Sequence, residues 1–334
     1  MEAFVFERNG EPTQVLHLSD LPDPLPGPGE ALVRILLAPV HPSDLHIMRG
    51  RYGRQPSLPA SPGIECVAVV EKLGADVAGP PPGTRVVLLN ALGTWRQRVV
   101  YPAEQLVAVP EDVTDDDAAQ AVINPVTAWA LTMVEHRLTA TDQLTQTAAG
   151  STVARLVLQL AQSEGFRTVN LVRRRAQVEE ITRLGGDAVL CTEDEEWPQQ
   201  LVDATDGGPM TAIDSVAGRV GATLARTLAP GGRLLVFGAL SSHRQTDPAA
   251  FEMPIFAPGL IYRSARVEGW FLPRWFDTTP IAQSADAARS ILARLANGTL
   301  RLPPAVRFKP ADIADALAAA DGGVQAGKPL LDFS

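Results

Sequence analysis

Three consecutive arginines, Arg173, Arg174 and Arg175, close the apolar run RTVNLVR. Strands that bind NAD usually end in Asp or Glu, which accepts hydrogen bonds from the ribose hydroxyls. This run ends in cations instead. Guanidiniums grip a 2′-phosphate through charge-assisted, bidentate hydrogen bonds, so the run points to NADPH. A solvated basic corner is the plain alternative. Upstream, AAGSTVAR (148–155) is a turn that leads into a helical pattern. Such a turn offers backbone N–H groups and the positive end of a helix to a pyrophosphate. Gly150, Ser151, Thr152 and Val153 are its candidate cofactor contacts, although the spaced glycines of the dinucleotide fingerprint are missing. Phe237 and Gly238, at the end of the run GRLLVFGAL, are further cofactor candidates.

Strands and helices alternate around these residues. DQLTQTA (142–148), RTVNLVR (167–173), DAVLCT (187–192), TAIDSV (211–216) and GRLLVFGAL (232–240) read as strands. GSTVARLVLQLAQSEG (150–165) and AQVEEITRLGG (176–186) read as helices, the second stopping at glycine. This alternation implies βαβ units and a parallel sheet. Residues 1–110 differ. ALVRILLAPV (31–40), CVAVVEKLG (66–74), TRVVLL (84–89) and RQRVVYP (96–102) are short β-branched runs separated by Gly and Pro turns, which predicts an antiparallel barrel or sandwich. The tail, with a helix at 311–323 and a strand at 327–333, returns to the first style and is expected to fold back onto the N-terminal domain.

With 334 residues the chain exceeds the usual size of one core, so two domains are expected. A net charge of −9 repels nucleic-acid phosphates and anionic membranes, which argues against either as the main partner. No apolar run is long enough to span a bilayer, and the N-terminus lacks the pattern of a signal peptide. Cys66 and Cys191 stand apart in apolar runs and are expected to be buried free thiols of a reducing compartment. A cytoplasmic protein is the expectation.

Zinc alcohol dehydrogenases share this two-domain layout, so a metal has to be tested. Catalytic zinc takes about three protein ligands. Where that group has cysteine, histidine and cysteine, this chain offers His41, Ile64, and Ile123 or Asn124. One candidate ligand remains of three, and two cysteines cannot make a structural cluster, so no zinc is expected. His41 is then either a substrate-pocket residue or a structural one.

SDLHIMRGRYGRQPSLPASPGIE (43–65), NALGTWRQRVV (90–100) and INPVTAWALTM (123–133) together resemble the medium-chain, zinc-free enoyl-thioester reductases of the mitochondrial type and their bacterial relatives. VNLVRRR and GWFLPRW (269–275) fit the same family. The resemblance implies an α/β protein with a GroES-like catalytic domain (1–120, completed by 266–334) and a Rossmann domain with a doubly wound parallel sheet that binds NADPH (121–265). It implies a homodimer joined through the Rossmann sheets, and an enoyl thioester of CoA or acyl carrier protein as substrate. The family's cofactor turn reads like NSGVGQ, and Thr152 and Ala154 here replace its two glycines.

The resemblance also implies that Tyr52 donates a proton. Reduction of an enoyl thioester puts a hydride on Cβ and a proton on Cα, with negative charge on the thioester oxygen between the two. A phenol is protonated at neutral pH and can serve as donor and acid. Trp95 is expected in the pocket. Asn124 and Thr127 are candidates for substrate or nicotinamide contacts, with helix capping as the alternative. Trp270, Phe271 and Trp275 form either one wall of an acyl slot or core. Arg49, Arg51 and Arg54 either meet CoA phosphates or an acidic carrier protein, or are solvated. Two other readings compete: an NADPH:quinone or enone oxidoreductase, and a non-catalytic nucleotide-binding relative.

Overall fold

Alternation of apolar and polar side chains makes strands of the N-terminal runs. In the computed structural model these are β1 (Glu2–Val5), β2 (His17–Asp20), β3 (Glu30–Pro39), β4 (Val67–Leu73), β5 (Arg85–Leu88), β6 (Arg98–Pro102) and β7 (Leu106–Ala108). The long β3 is the centre of the sheet and pairs antiparallel with β4 and with β6. Phe4, Phe6, Val33, Ile35, Ile47 and Trp95 fill the core beneath it. The structure describes residues 1–334 except 244, 246 and 323–326.

The middle of the chain supplies β8 (Gln143–Gln146), β9 (Arg167–Val172), β10 (Ala188–Cys191), β11 (Thr211–Asp214), β12 (Arg233–Val236) and β13 (Arg266–Gly269). They form one sheet in the order β10-β9-β8-β11-β12-β13, with every pair parallel. The winding reverses between β8 and β11. Ligands of such sheets bind outside the strand carboxyl ends at that reversal. Helix Thr152–Glu164 follows β8. Ser151 caps it, Gly165 ends it at φ 85°, and Leu156, Val157, Leu160 and Ala161 are buried.

The last strands are β14 (Ala305–Phe308) and β15 (Lys328–Asp332), and β15 pairs antiparallel with β3. The chain therefore divides into a first unit, Met1–Val126 with Trp275–Ser334, and a second, Thr127–Arg274. This is the expected fold class, a β-rich unit and a doubly wound parallel one.

Some details differ from expectation. Residues 266–269, assigned above to the returning tail, pair with β12 as β13. The strand expected at 232–240 stops at Val236, because Gly238 approaches the next loop so closely that a Cβ there would lie 3.0 Å from the Ser215 carbonyl oxygen. The helix expected at 176–186 is a short turn, Arg175–Gln177, and then Val178–Arg183. The tail helix is Ile313–Gly322, and position 323 lies outside the described residues. Both cysteines are buried and free.

Candidate active site

In the first unit, helix Pro42–Met48 begins with proline, and Asp44 Oδ2 accepts the His41 N–H at 2.7 Å. It ends in a Schellman motif. Gly50 stands at φ +71°, its N–H donates to the Ile47 carbonyl at 3.0 Å, and the Arg51 N–H donates to the His46 carbonyl at 2.8 Å. Tyr52 follows directly, half-buried and packed against the core. Burial, and then the nearby Asp44, push its hydroxyl pKa well above the ordinary phenol value, with Arg54 opposing.

His41 is 3% exposed and Glu65 0%. The imidazole Nε2–H donates to Glu65 Oε2 at 2.7 Å. Lys328, at the start of β15, donates from Nζ to His41 Nδ1 at 2.9 Å and to the Val40 carbonyl at 3.1 Å. Glu65 Oε1 accepts the N–H groups of Val122 and Ile123 at 2.6 and 2.7 Å, where helix Ile123–Trp129 starts. Burial and then the Lys328 charge hold His41 below its ordinary pKa, which favours neutral imidazole. Burial also lowers Lys328 and raises Asp44. Glu65 and Lys328 are satisfied by His41 and by backbone, while Asp44 Oδ1 is buried without a hydrogen-bond partner among the described residues.

In the second unit, the turn after β8 runs through Ala148, at φ 47°, into the Ser151 cap. Across the sheet reversal, Asp214 at the end of β11 is fully buried. It accepts hydrogen bonds from Thr147 Oγ1 at 2.6 Å, Val216 N–H at 2.9 Å and Ala217 N–H at 3.0 Å, while burial raises its pKa. One carboxylate thus fixes both turns that border the crevice. At the end of β9, Arg173, Arg174 and Arg175 are exposed. Arg175 pairs with Asp194, whereas Arg173 and Arg174 have no acid partner among the described residues. The strand-end turn, the helix cap and these exposed guanidiniums fit a nicotinamide dinucleotide.

The structure brings some expected site residues together and disperses others. Gly150, Ser151, Thr152, Val153 and the arginines occupy the carboxyl edge of β8 and β9, and Phe237 and Gly238 follow β12. His41 is engaged at both ring nitrogens and offers none to a substrate. Trp95 is fully buried, donates from Nε1 to the Pro39 carbonyl and packs edge-on against Phe4, so it is core rather than pocket lining. Asn124 and Thr127 lie on helix Ile123–Trp129, Asn124 half-buried and Thr127 buried. Trp270 donates from Nε1 to Glu135 Oε1 at 3.3 Å in the second unit, and Phe271 is half-buried. Trp275 belongs to the first unit, buried against Phe276. Arg49 is tied to Glu11 and Asp321, and Arg54 to Asn90 Oδ1 at 2.5 Å. Sequence reasoning missed Lys328, Asp44 and Asp214. An acid at the end of the strand run TAIDSV was the one available signal for Asp214.

Residues 27–111 match the alcohol dehydrogenase GroES-like domain, and residues 152–286 match the zinc-binding dehydrogenase family. The mitochondrial enoyl-[acyl-carrier-protein] reductase of Rattus norvegicus is 33% identical over 281 residues, spanning 82% of this chain and 73% of the relative. Its Homo sapiens counterpart is 30% identical over 325 residues, spanning 96% and 85%. A Bacillus thuringiensis structure, provisionally named an NADPH:quinone reductase, is similar with a TM-score of 0.89 at 30% identity, over 99% of this chain and 98% of that one. The chain belongs to the medium-chain dehydrogenase/reductase superfamily, among its enoyl-reductase-like members. It is an oxidoreductase of a family that binds nicotinamide cofactors.

Zinc appears in the name of one matched family, but the donor set here does not fit that ion. Of the three candidate positions, Ile64 carries no donor, the third is Ile123 or the Asn124 amide rather than a thiolate, and an ammonium sits on His41 Nδ1. Among the described residues, no group of three or more His, Cys, Asp or Glu side chains could hold a metal.

Proposed function

We propose that this protein is an NADPH-dependent, zinc-independent reductase of activated carbon–carbon double bonds, and that its substrate is a trans-2-enoyl thioester of CoA or acyl carrier protein. The observation that carries the reading is Tyr52, a half-buried phenol launched from a helix end by Gly50 and held in its protonated form. Bound NADPH supplies the hydride. Arg173 and Arg174 hold its 2′-phosphate, and the turn Gly150–Val153 with the cap of helix Thr152–Glu164 holds its pyrophosphate. Tyr52 donates a hydrogen bond to the thioester oxygen as charge develops there and delivers its proton to Cα. Burial suits it to that step, because a phenol that resists ionisation keeps its proton until a stronger base forms beside it.

NADPH oxidation with crotonyl-CoA and longer enoyl thioesters is the expected activity. Tyr52→Phe should lower kcat by about 100-fold or more, the usual contribution of a positioned acid. Full activity in that variant would refute the mechanism. The 30% identity to the Bacillus thuringiensis protein favours a second reading, quinone or enone reduction. A reduced quinone takes its proton from water, so Tyr52→Phe would then retain quinone turnover and the wild type would ignore enoyl-CoA. Absence of binding of both NADPH and NADH at millimolar cofactor would leave the non-catalytic reading.

We also propose a homodimer. β13 is an edge strand of its sheet, and Ile261 and Tyr262 in helix Ala257–Arg263 are 68% and 85% exposed. An uncovered edge beside exposed apolar side chains is suited to pairing. Light scattering giving the monomer mass at micromolar protein would exclude it.

A further inference from the structure

A phosphate turn without spaced glycines needs another means of holding its backbone. Here Ala148 adopts the left-handed region, which costs a residue with a Cβ, and Gly150 is the turn's remaining glycine. The Gly150–Ser151 peptide is pinned at both ends. The Ser151 N–H donates to the Ala148 carbonyl at 2.8 Å. Arg155 turns back along its own helix, and its Nε–H donates to the Gly150 carbonyl at 3.0 Å. The same guanidinium donates from Nη2 to Glu180 Oε1 at 2.5 Å, in helix Val178–Arg183. Gln177 covers the same glycine: a Cβ on Gly150 would lie 2.8 Å from its Nε2. Gln177 Oε1 accepts the Arg174 N–H at 3.2 Å. Arg155 thus bonds the turn after β8 to helix Val178–Arg183, and Gln177, bonded to the arginine loop after β9, lies against the same turn.

We propose that Arg155 is a positioning residue for the dinucleotide, fixing the Gly150–Ser151 peptide and, with Gln177, tying the phosphate turn to the loop that carries Arg173 and Arg174. This rests on the reading that the turn binds a nicotinamide dinucleotide. Glycine's freedom would otherwise let that peptide rotate. A guanidinium bonded at once to a carbonyl and a carboxylate is a stiff brace, because its donors are fixed in one plane. The brace serves the pyrophosphate, which NADPH and NADH share. Its loss should weaken both cofactors by one common factor, whereas loss of Arg173 and Arg174 should separate them.

The test is titration of the full chain with NADPH and with NADH, read by nicotinamide fluorescence, beside the thermal midpoint of the cofactor-free protein. Arg155→Leu keeps helix propensity and should raise both dissociation constants about tenfold, the scale of one charge-assisted hydrogen bond. The midpoint should stay within about 2 °C, since the pair is partly exposed. Glu180→Gln should raise both constants by a smaller factor, about threefold, by loosening one end of the brace. Arg155→Lys should recover part of the loss. Unchanged constants, or a loss restricted to NADPH, would overturn the inference. So would a loss matched by a large fall in midpoint, which would mark a general structural role. The wild-type ratio of the two constants tests the NADPH reading separately. A ratio near one removes that reading and leaves the inference standing if both constants rise together. A wild type that binds neither cofactor removes both.

Discussion

Each unit holds a cluster of basic groups, and the two clusters are built in opposite ways. In the first unit Lys328 is half-buried, and its ammonium donates to His41 Nδ1 and to the Val40 carbonyl, with the buried Glu65 on the far side of the imidazole. In the second unit Arg173 and Arg174 stand exposed at a strand end with no acid partner among the described residues. A buried cation must be matched inside the fold, because leaving it unmatched costs several kcal/mol. An exposed one carries no such penalty and is available to a ligand. The contrast separates charges that hold the protein together from charges that the fold leaves exposed.

Breaking the buried set should give the largest effect. Lys328→Met leaves Glu65 without its cation and His41 Nδ1 without its donor. It should cost about 3–5 kcal/mol of unfolding free energy in urea, with cofactor affinity of the folded fraction preserved. A loss under about 1 kcal/mol would mean that the cluster is no more structural than the exposed one.

The next effect concerns acid. In the second unit His136 is mostly buried, its Nε2–H donates to the Ala212 carbonyl at 3.1 Å, and burial lowers its pKa to about 4. Between its ordinary value near 6.5 and about 4, the unfolded chain binds a proton that the folded chain refuses. Stability from this group is complete above pH 6.5 and lost as pH falls toward 4, amounting to up to about 3 kcal/mol. Urea titrations at pH 7 and pH 4.5 should show the loss in wild type and a smaller one in His136→Gln. Parallel curves would remove His136 as the cause.

Reversing the exposed cations gives the smallest change in energy and the sharpest discrimination. Arg173→Glu with Arg174→Glu should weaken NADPH about 30-fold, NADH less than about threefold, and leave the urea midpoint unmoved. Equal weakening of both cofactors would show that neither arginine meets the 2′-phosphate.

The same contrast explains what could be read in the sequence. The parallel sheet was legible because its apolar runs are bounded by glycine, charge and helical spacing within a few residues. The exposed position of Arg173 and Arg174 was legible because the run of cations directly follows an apolar strand. His41 and Lys328 stand 287 positions apart, and only the pairing of β15 with β3 joins them, so neither spacing nor periodicity could connect the two. Trp95 was misread because a motif match cannot tell a pocket wall from a core residue whose indole N–H meets a backbone carbonyl. β7 and β14 are too short to alternate visibly.

Gly50 has a consequence for how this protein can change over generations. Its backbone must turn left-handed, and a Cβ would strike the Asn9 side chain at 2.9 Å, so almost any exchange there is barred twice over. Residues 54–62 contain no left-handed backbone, and the next such position is Gly63. A lineage can therefore lengthen, shorten or recompose the loop after Tyr52 while the pivot from which that loop departs stays where it was.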